Sequence, residues 1–424
     1  MTGRRRTVLV LEPESSGLDL IHAAAQLGLA VQLFDHRPLD EMPLPARQAV
    51  AAGTATYRQV DTRSAKATLD AARELTRQCQ LIAVVPGFEY AVPIAASVAA
   101  ELGLPGIAPE AAAALREKDR MKQTLAKAGM NVAAGVAFRL SEAEDAIDEY
   151  LRTAGFPAVI KPIDGSGSLL VRRVDTVKDL HDYLEHCRSG TVDSMGRPIG
   201  ERLLLETYIA GPEFSVEGYA TEDGVTVVAI TQKQLGPEPD FTETGHIVDA
   251  PLTSAERNAL TSAATSAVKI LGLTLGVFHL EARLTAQGPV VLEVAARLAG
   301  DRIPVLVSQV HGVDLADTMI RCHAGMPIEA PPAQGEAGTA ASQFFTVDTP
   351  STLPEPNLLV RRLTTLDGCI EAVITASPDT SLLPATDWRQ RFGRIVVTAA
   401  DRGQLETVLR EAQRLIRDAV EPIA

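Results

Sequence analysis

Residues 277–297 set two carboxylates face to face, which restricts the folds that can hold them. Val277-Phe278-His279-Leu280-Glu281-Ala282-Arg283 and Val290-Val291-Leu292-Glu293-Val294-Ala295-Ala296-Arg297 read as the strands of a hairpin. Ala286-Gln287-Gly288 reads as its three-residue loop, with Gly288 at the left-handed position. In that register Glu281 and Glu293 are opposite one another on one side of the sheet. Like charges so placed destabilise a strand pair, and a cation offsets the repulsion. Two carboxylates with Arg297 nearby suit Mg²⁺ carrying a nucleotide phosphate, because Mg²⁺ takes oxygen ligands and is commonly held by one or two carboxylates plus phosphate.

The chain has 424 residues, enough for two or three domains with substantial cores. Its formal net charge of −14 argues against nucleic acid or an anionic membrane as a main partner. A phosphate-bearing ligand therefore needs a local basic pocket. Cys79, Cys187, Cys322 and Cys369 are scattered without a CxxC pair and read as reduced, mostly buried thiols. Arg4-Arg5-Arg6 resembles the start of a signal peptide, but the apolar run after it is too short and ends at Glu12. No run reaches transmembrane length. The expected location is cytoplasmic.

Residues 7–11 and 30–34 read as strands around a helix at 18–27 that Gly28 closes. A helix at 67–79, a strand at 81–85 and a helix at 92–102 continue the alternation, which is the opening of a doubly wound α/β unit. Glu12-Pro13-Glu14-Ser15-Ser16-Gly17 is not a GxGxxG loop, so dinucleotide binding has little support there. Helices are expected at 110–129 and 141–154, and strands at 156–162, 203–209 and 213–219. Residues 330–335 have linker composition. Strands at 341–347, 369–375 and 394–398 and a helix at 403–420 then predict a small α+β closing domain.

Lys161 ends an apolar strand and is followed by Asp164-Gly165-Ser166-Gly167-Ser168. Glycines let backbone amides approach an anion, and the lysine supplies a point charge; a flexible surface turn explains the loop equally well. A lysine within an apolar strand needs a partner. Lys118, in Arg116-Glu117-Lys118-Asp119-Arg120, reads on its own as part of a solvated helix face. The strand ending at Glu206, with Glu213 beyond it, presents backbone for an adenine edge and a carboxylate for ribose, or simply enters a turn. His246 on its own is more ordinary as a structural or surface histidine than as a ligand.

Taken in order, Lys118-Asp119, residues 158–168, residues 205–217, His279-Leu280-Glu281 and Leu292-Glu293-Val294-Ala295-Ala296-Arg297 resemble the ATP-grasp superfamily. Within it they are similar to the carboxylate–amine ligases that include bacterial L-amino acid (dipeptide) ligases. The resemblance covers residues 110–325. It implies an ATP-grasp fold of mixed α/β and α+β character: an N-terminal Rossmann-like domain at 1–115, a core at 116–330 with a small lid subdomain at 130–210, and a C-terminal α+β domain at 331–424. It implies that Lys118 and Lys161 contact ATP phosphates, that Gly165, Ser166 and Gly167 form a lid over them, and that Glu206, Thr207, Tyr208 and Ile209 read adenine. Glu213 would bind ribose, and Glu281 and Glu293 would hold the metal. Arg297 would neutralise the transferring phosphoryl group, with Lys161 assisting. His246, Gly300 and Asp301 fall where similar ligases contact an amino-acid substrate, and Glu89 where an acidic residue holds its ammonium. The implied cofactors are ATP and Mg²⁺, with Mn²⁺ as an alternative. The implied partners are small amino-acid-like carboxylates and amines, and relatives are often homodimers.

Two positions depart from the superfamily pattern. Ala295 replaces an asparagine that many members use as a further metal ligand, so water or phosphate oxygens must complete the coordination. Leu170 stands where glycine is common, which should stiffen the lid or alter its turn. The implied activity is ATP-dependent amide formation between an amino-acid-type carboxylate and an amine, through an acyl phosphate, with release of ADP and phosphate. Competing readings are another ATP-grasp activity on formate or bicarbonate, as in purine-pathway enzymes or biotin carboxylase, and a non-catalytic ATP-binding protein.

Overall fold

A computed structural model describes residues 4–193, 195–329, 335–378 and 380–423. Its first sheet is parallel, ordered Ala55–Gln59, Ala30–Asp35, Arg6–Leu11, Gln80–Pro86. The apolar strand residues Val8 to Leu11 and Ala83 to Val85 are buried, which accounts for the nearly continuous hydrophobic runs in the sequence. Strand order reverses between Arg6–Leu11 and Gln80–Pro86, and ligands in open α/β sheets bind beyond the strand ends at such a switch point. The loops leaving these two strands meet closely there. A Cβ on Gly17 would lie 1.7 Å from the Gly87 carbonyl oxygen, so glycine is required for the contact.

The expected helix at 110–129 is two helices, Pro109–Ala114 and Lys118–Lys127, separated where Glu117 turns extended. The break changes the reading of Lys118. It starts the second helix, and its buried face is Lys118, Met121, Lys122 and Leu125, so two lysines lie on the apolar stripe rather than on a solvated one.

A smaller antiparallel sheet follows, ordered Gly135–Arg139, Arg202–Thr207, Ala158–Pro162, Arg172–Val174. Helices Ala143–Thr153 and Val177–Arg188 bury Ile147, Tyr150, Leu180 and Leu184 in its core. The strand expected to reach residue 209 stops at Thr207.

The largest sheet has eight antiparallel strands, running from Gly288–Ala295 through Gly276–Thr285, Glu213–Thr221, Gly224–Leu235, Glu243–Val248, Thr339–Phe345 and Gly393–Ala399 to Cys369–Ile374. The strands after residue 331 thus continue this sheet, while they and helix Arg402–Ala419 also build their own core around Phe345, Leu405 and Leu409. The linker expected at 330–335 falls, except for Gly335, outside the described residues.

The hairpin that carries Glu281 and Glu293 reaches the expected pairing by a different route. Thr285 pairs with Gly288, so the loop has two residues rather than three, and an extra residue enters between Val291 and Glu293. The bulge restores the register that the shorter loop would have shifted, and Glu281 is opposite Glu293.

Among the described residues no helix is long and apolar enough to cross a membrane. Cys187 and Cys322 are buried, and Cys79 and Cys369 half-buried.

One buried titratable group is set apart from any cleft. His323, on helix Leu315–His323, is 1% exposed and its Nδ1 contacts the Met319 carbonyl 3.0 Å away. Burial brings it down to about 4. Because its folded pKa is below the unfolded value, the stabilisation is complete above about pH 6.5 and is lost as pH falls toward 4. The full effect is about 3 kcal/mol. Denaturation midpoints between pH 7 and 4.5 should fall less steeply in His323→Gln than in the parent chain; equal slopes would reject this assignment.

Candidate functional site

The large sheet turns one polar face toward the parallel sheet's switch point and the small sheet. Glu293, Glu281, Ser215 and Thr231 form one cross-strand row, and Ala295, His279 and Glu217 form the next. In a strand alternate residues share a face, so 213, 215 and 217 point the same way, as do 279, 281 and 283. This face is the floor of a cleft. Its walls are residues 14–17 and 87–88, the loop 165–169, and Trp388 and Arg391 from the chain's last segment.

The cleft brings together every candidate site residue named from the sequence except Tyr208 and Glu89. Tyr208 donates to Glu238 Oε1 at 2.6 Å and carries Arg173 and Arg283 over its ring. Glu89 is 1% exposed and faces Arg297, whose Nε donates to it, with Arg116 4.0 Å away. It therefore neutralises Arg297, and the structure does not present it to a substrate ammonium. Burial acts to raise the Glu89 carboxyl, but Arg297 and Arg116 hold it below the usual carboxylate range.

Four lysines contact five carboxylates in and around the cleft. Lys118 Nζ is 2.9 Å from Glu293 and donates to the Gly165 carbonyl at 3.0 Å. Lys161 and Lys122 both hold Glu206, at 2.6 and 2.8 Å. Burial, against the pull of Glu206, brings Lys122 down to about 8; burial also opposes the charge on Lys161, but Glu206 pushes it up. Lys233 reaches Glu213, Glu243 and Glu281 at 2.8, 2.7 and 2.6 Å. Glu281 is also held by His279 at 3.3 Å, and His279 Nδ1 in turn contacts Glu217 at 2.9 Å. Burial would lower His279, but its bonds to Glu217 and Glu281 raise it to about 9. Burial would raise Glu281, yet Lys233 and His279 hold it well below the carboxylate range.

The sequence argument asked for a cation between Glu281 and Glu293; two ammonium groups now flank the pair. Their contacts run to Oε1 of each carboxylate, leaving Oε2 of each without a protein donor among the described residues. Two such oxygens beside lysines and loop amides form a donor set that fits a magnesium nucleotide. Ala295 is buried and offers no third ligand. A second cluster, Glu243, His246 and Asp301, has ligand atoms within 4.8 Å of one another. Lys233 already pairs with Glu243 there and Arg391 with Asp301, so the cluster reads as an ion-pair network.

The glycine loop is pinned from below, since Arg116 donates to the carbonyls of Asp164 and Gly165. Ser168 and Leu170 are left-handed at φ 56° and 59°, which explains why glycine would be easier at 170. Ser166 Oγ lies 3.2 Å from the Tyr90 hydroxyl. Gly167 has φ 62°, and a Cβ there would be 3.1 Å from Trp388 Cδ1. Gly167→Ala must strain the turn, at about 1–2 kcal/mol, or displace the indole. Trp388 is the chain's one tryptophan, so its emission reports the contact. About tenfold weaker ATP affinity and a red-shifted emission are expected; unchanged values would reject the packing role.

Sequence reasoning missed Lys122, Lys233, Glu243, Trp388 and Arg391. The first had a signal: spaced i, i+4 from Lys118, it shares the stripe of Met121 and Leu125. Lys233 shares the parity of buried Thr231. The last two are placed by tertiary packing alone.

Residues 154–305 match the family model of the ATP-grasp domain. The chain superposes over 100% of its length on 99% of the crystal structure of an L-amino acid ligase from Bacillus licheniformis, with a TM-score of 0.78 and 22% identity. The chain has the ATP-grasp fold. In sequence the chain is similar to an uncharacterized protein, y4rH, of Sinorhizobium fredii, 26% identical over 99% of this chain and 84% of that protein. It is also 28% identical to alanine–anticapsin ligase of Bacillus subtilis over 56% of this chain. That alignment spans 53% of the ligase, about half its length.

Proposed function

We propose that this chain is an ATP-dependent ligase that joins an amino-acid-type carboxylate to an amine. One observation carries the reading: the facing pair Glu281 and Glu293 shares a cleft with Lys118, Lys161 and Arg297. The similarity to alanine–anticapsin ligase and to an L-amino acid ligase supports the choice of substrates.

In this proposal Lys118, Lys161 and the amides of residues 165–167 hold the β- and γ-phosphates, with Glu213 near the ribose. Glu281 and Glu293 would hold Mg²⁺, which supplies charge neutralisation between the phosphates when bound. The substrate carboxylate attacks the γ-phosphorus, forming an acyl phosphate and releasing ADP. The amine then attacks the acyl carbon, and phosphate leaves. Arg297, kept charged by Glu89, offsets the negative charge that develops on the transferring group. Closure of the loop against Trp388 keeps water from the mixed anhydride. Positioning supplies much of the rate enhancement in such a site.

Ala295 favours a second reading, ATP binding without turnover, because it removes a ligand position. A screen of amino-acid pairs with ATP and Mg²⁺, following phosphate release and the mass of the product, separates the two. The expected result is phosphate release that depends on both substrates, with a product one water lighter than their sum. ATP binding with no phosphate release across the panel would select the second reading.

A further inference from the structure

The cleft holds a further ion pair beside Glu243. Arg391 donates to both oxygens of Asp301, at 2.7 and 2.9 Å, and its guanidinium lies 3.8 Å above the Phe344 ring. Both members line the cleft, with side chains 12% and 18% exposed. Arg391 is pre-positioned by its own segment. Asp387 caps the short turn Trp388–Gln390 and binds Arg389, which sends Trp388 to the lid and Arg391 to Asp301. Asp301 and Arg302 are consecutive left-handed residues, at φ 56° and 66°. Such strain is held only where the surroundings impose it, and it clusters at ligand clamps. His246 Nε2 contacts Asp301 at 3.2 Å, while its Nδ1 is buried with no partner among the described residues.

A ligand with one charge cannot enter such a pair without leaving the other member uncompensated, which is strongly unfavourable for a buried group. A zwitterion can, because its carboxylate replaces Asp301 on Arg391 and its ammonium replaces Arg391 on Asp301. We propose that Arg391 is a specificity-determining residue that reads the free carboxylate of the amine-bearing substrate, so that this substrate is an amino acid rather than a simple amine. Its assignment to the amine-bearing substrate rests on the ligase reading, because only that substrate keeps its carboxylate through the reaction. The planar fork of arginine suits a carboxylate, and lysine would keep the charge without the paired geometry.

The test is calorimetric titration of the full chain in Mg·ADP with each proteinogenic amino acid. The carboxamide and the N-acetyl form of each binder follow. The parent chain should bind the zwitterion at least about tenfold more tightly than either capped form. Arg391→Gln should abolish the preference over the carboxamide and Arg391→Lys should keep part of it. Arg391→Gln with Asp301→Asn removes both charges together, so it leaves no lone buried ion, and it should bind zwitterion and capped forms alike. The inference is overturned if no zwitterion binds, or if the double variant keeps the parent's preference. Zwitterion binding that depends on Arg391, without phosphate release in the pair screen, would overturn the ligase reading and leave the recognition of zwitterions standing. Ligation unaffected in its acid-over-amide preference by Arg391→Gln would do the reverse.

Discussion

Arg297→Ala should lower turnover by roughly 10²–10³ and should also destabilise the apo protein. The two effects have separate causes. Turnover falls because a charge pre-positioned for the transferring phosphoryl group is gone, and water entering the site screens whatever else is there. Stability falls because Glu89, 1% exposed, loses the partner that Nε of Arg297 provides and keeps only Arg116 at 4.0 Å. Stranding a buried charge in this way costs about 3–5 kcal/mol. Adding Glu89→Gln should recover much of the stability and none of the turnover. Chemical denaturation and phosphate release, measured on both variants, check the pair of claims. Recovery of turnover in the double variant would show that Arg297 acts only by holding Glu89 in place.

Glu293→Gln should cost several kcal/mol of transition-state stabilisation if its carboxylate is a metal ligand, on the order of 10³ in rate. Because Ala295 offers no donor, each remaining carboxylate bears more of the metal binding than it would beside an asparagine. The Mg²⁺ concentration giving half-maximal turnover should rise together with the loss of rate. Glu281→Gln should be more disruptive to the apo fold than Glu293→Gln, since Glu281 serves both Lys233 and His279, and Glu293 serves Lys118. Measuring turnover against Mg²⁺, with denaturation midpoints alongside, distinguishes the two. An unchanged Mg²⁺ requirement in both variants would remove the pair from the metal site.

How much of this was legible in the sequence depends on the range of the forces involved. Most of the parallel sheet and the facing glutamates are set by patterns within a few residues, and the strands that were expected were found to within a residue or two at most ends, whereas Ala55–Gln59, Gly135–Arg139, Gly224–Leu235 and Glu243–Val248 were not expected. The glutamate pairing emerged from a loop one residue too long and a bulge not foreseen, two deviations that cancel. Lys118 was read as solvated because its helix was extended through Glu117. With the break in place the lysine falls on the buried stripe. Glu89 shows a different limit. Its sequence neighbourhood says nothing of Arg297, 208 residues away, which claims the carboxylate in the fold. Arg391 and Trp388 lie in a segment of short turns, and only the register of Thr339–Phe345 and Gly393–Ala399 with the rest of the sheet carries them to the cleft.

That continuous register divides the molecule by stiffness. One hydrogen-bonded sheet runs from the strand bearing Glu293 to the strand beside Arg391, so the two residues belong to one frame. The small four-stranded sheet with Gly165 to Gly167 stands outside that frame. A shift of that sheet would alter access to the cleft without altering the spacing between Glu293 and Arg391. The last strands also cap an edge: without Thr339–Phe345, the strand Glu243–Val248 that carries His246 would present unpaired backbone to any passing chain. Shortening the protein at its C-terminal side would thus trade a recognition surface for a sticky one, and self-association should accompany the loss of selectivity.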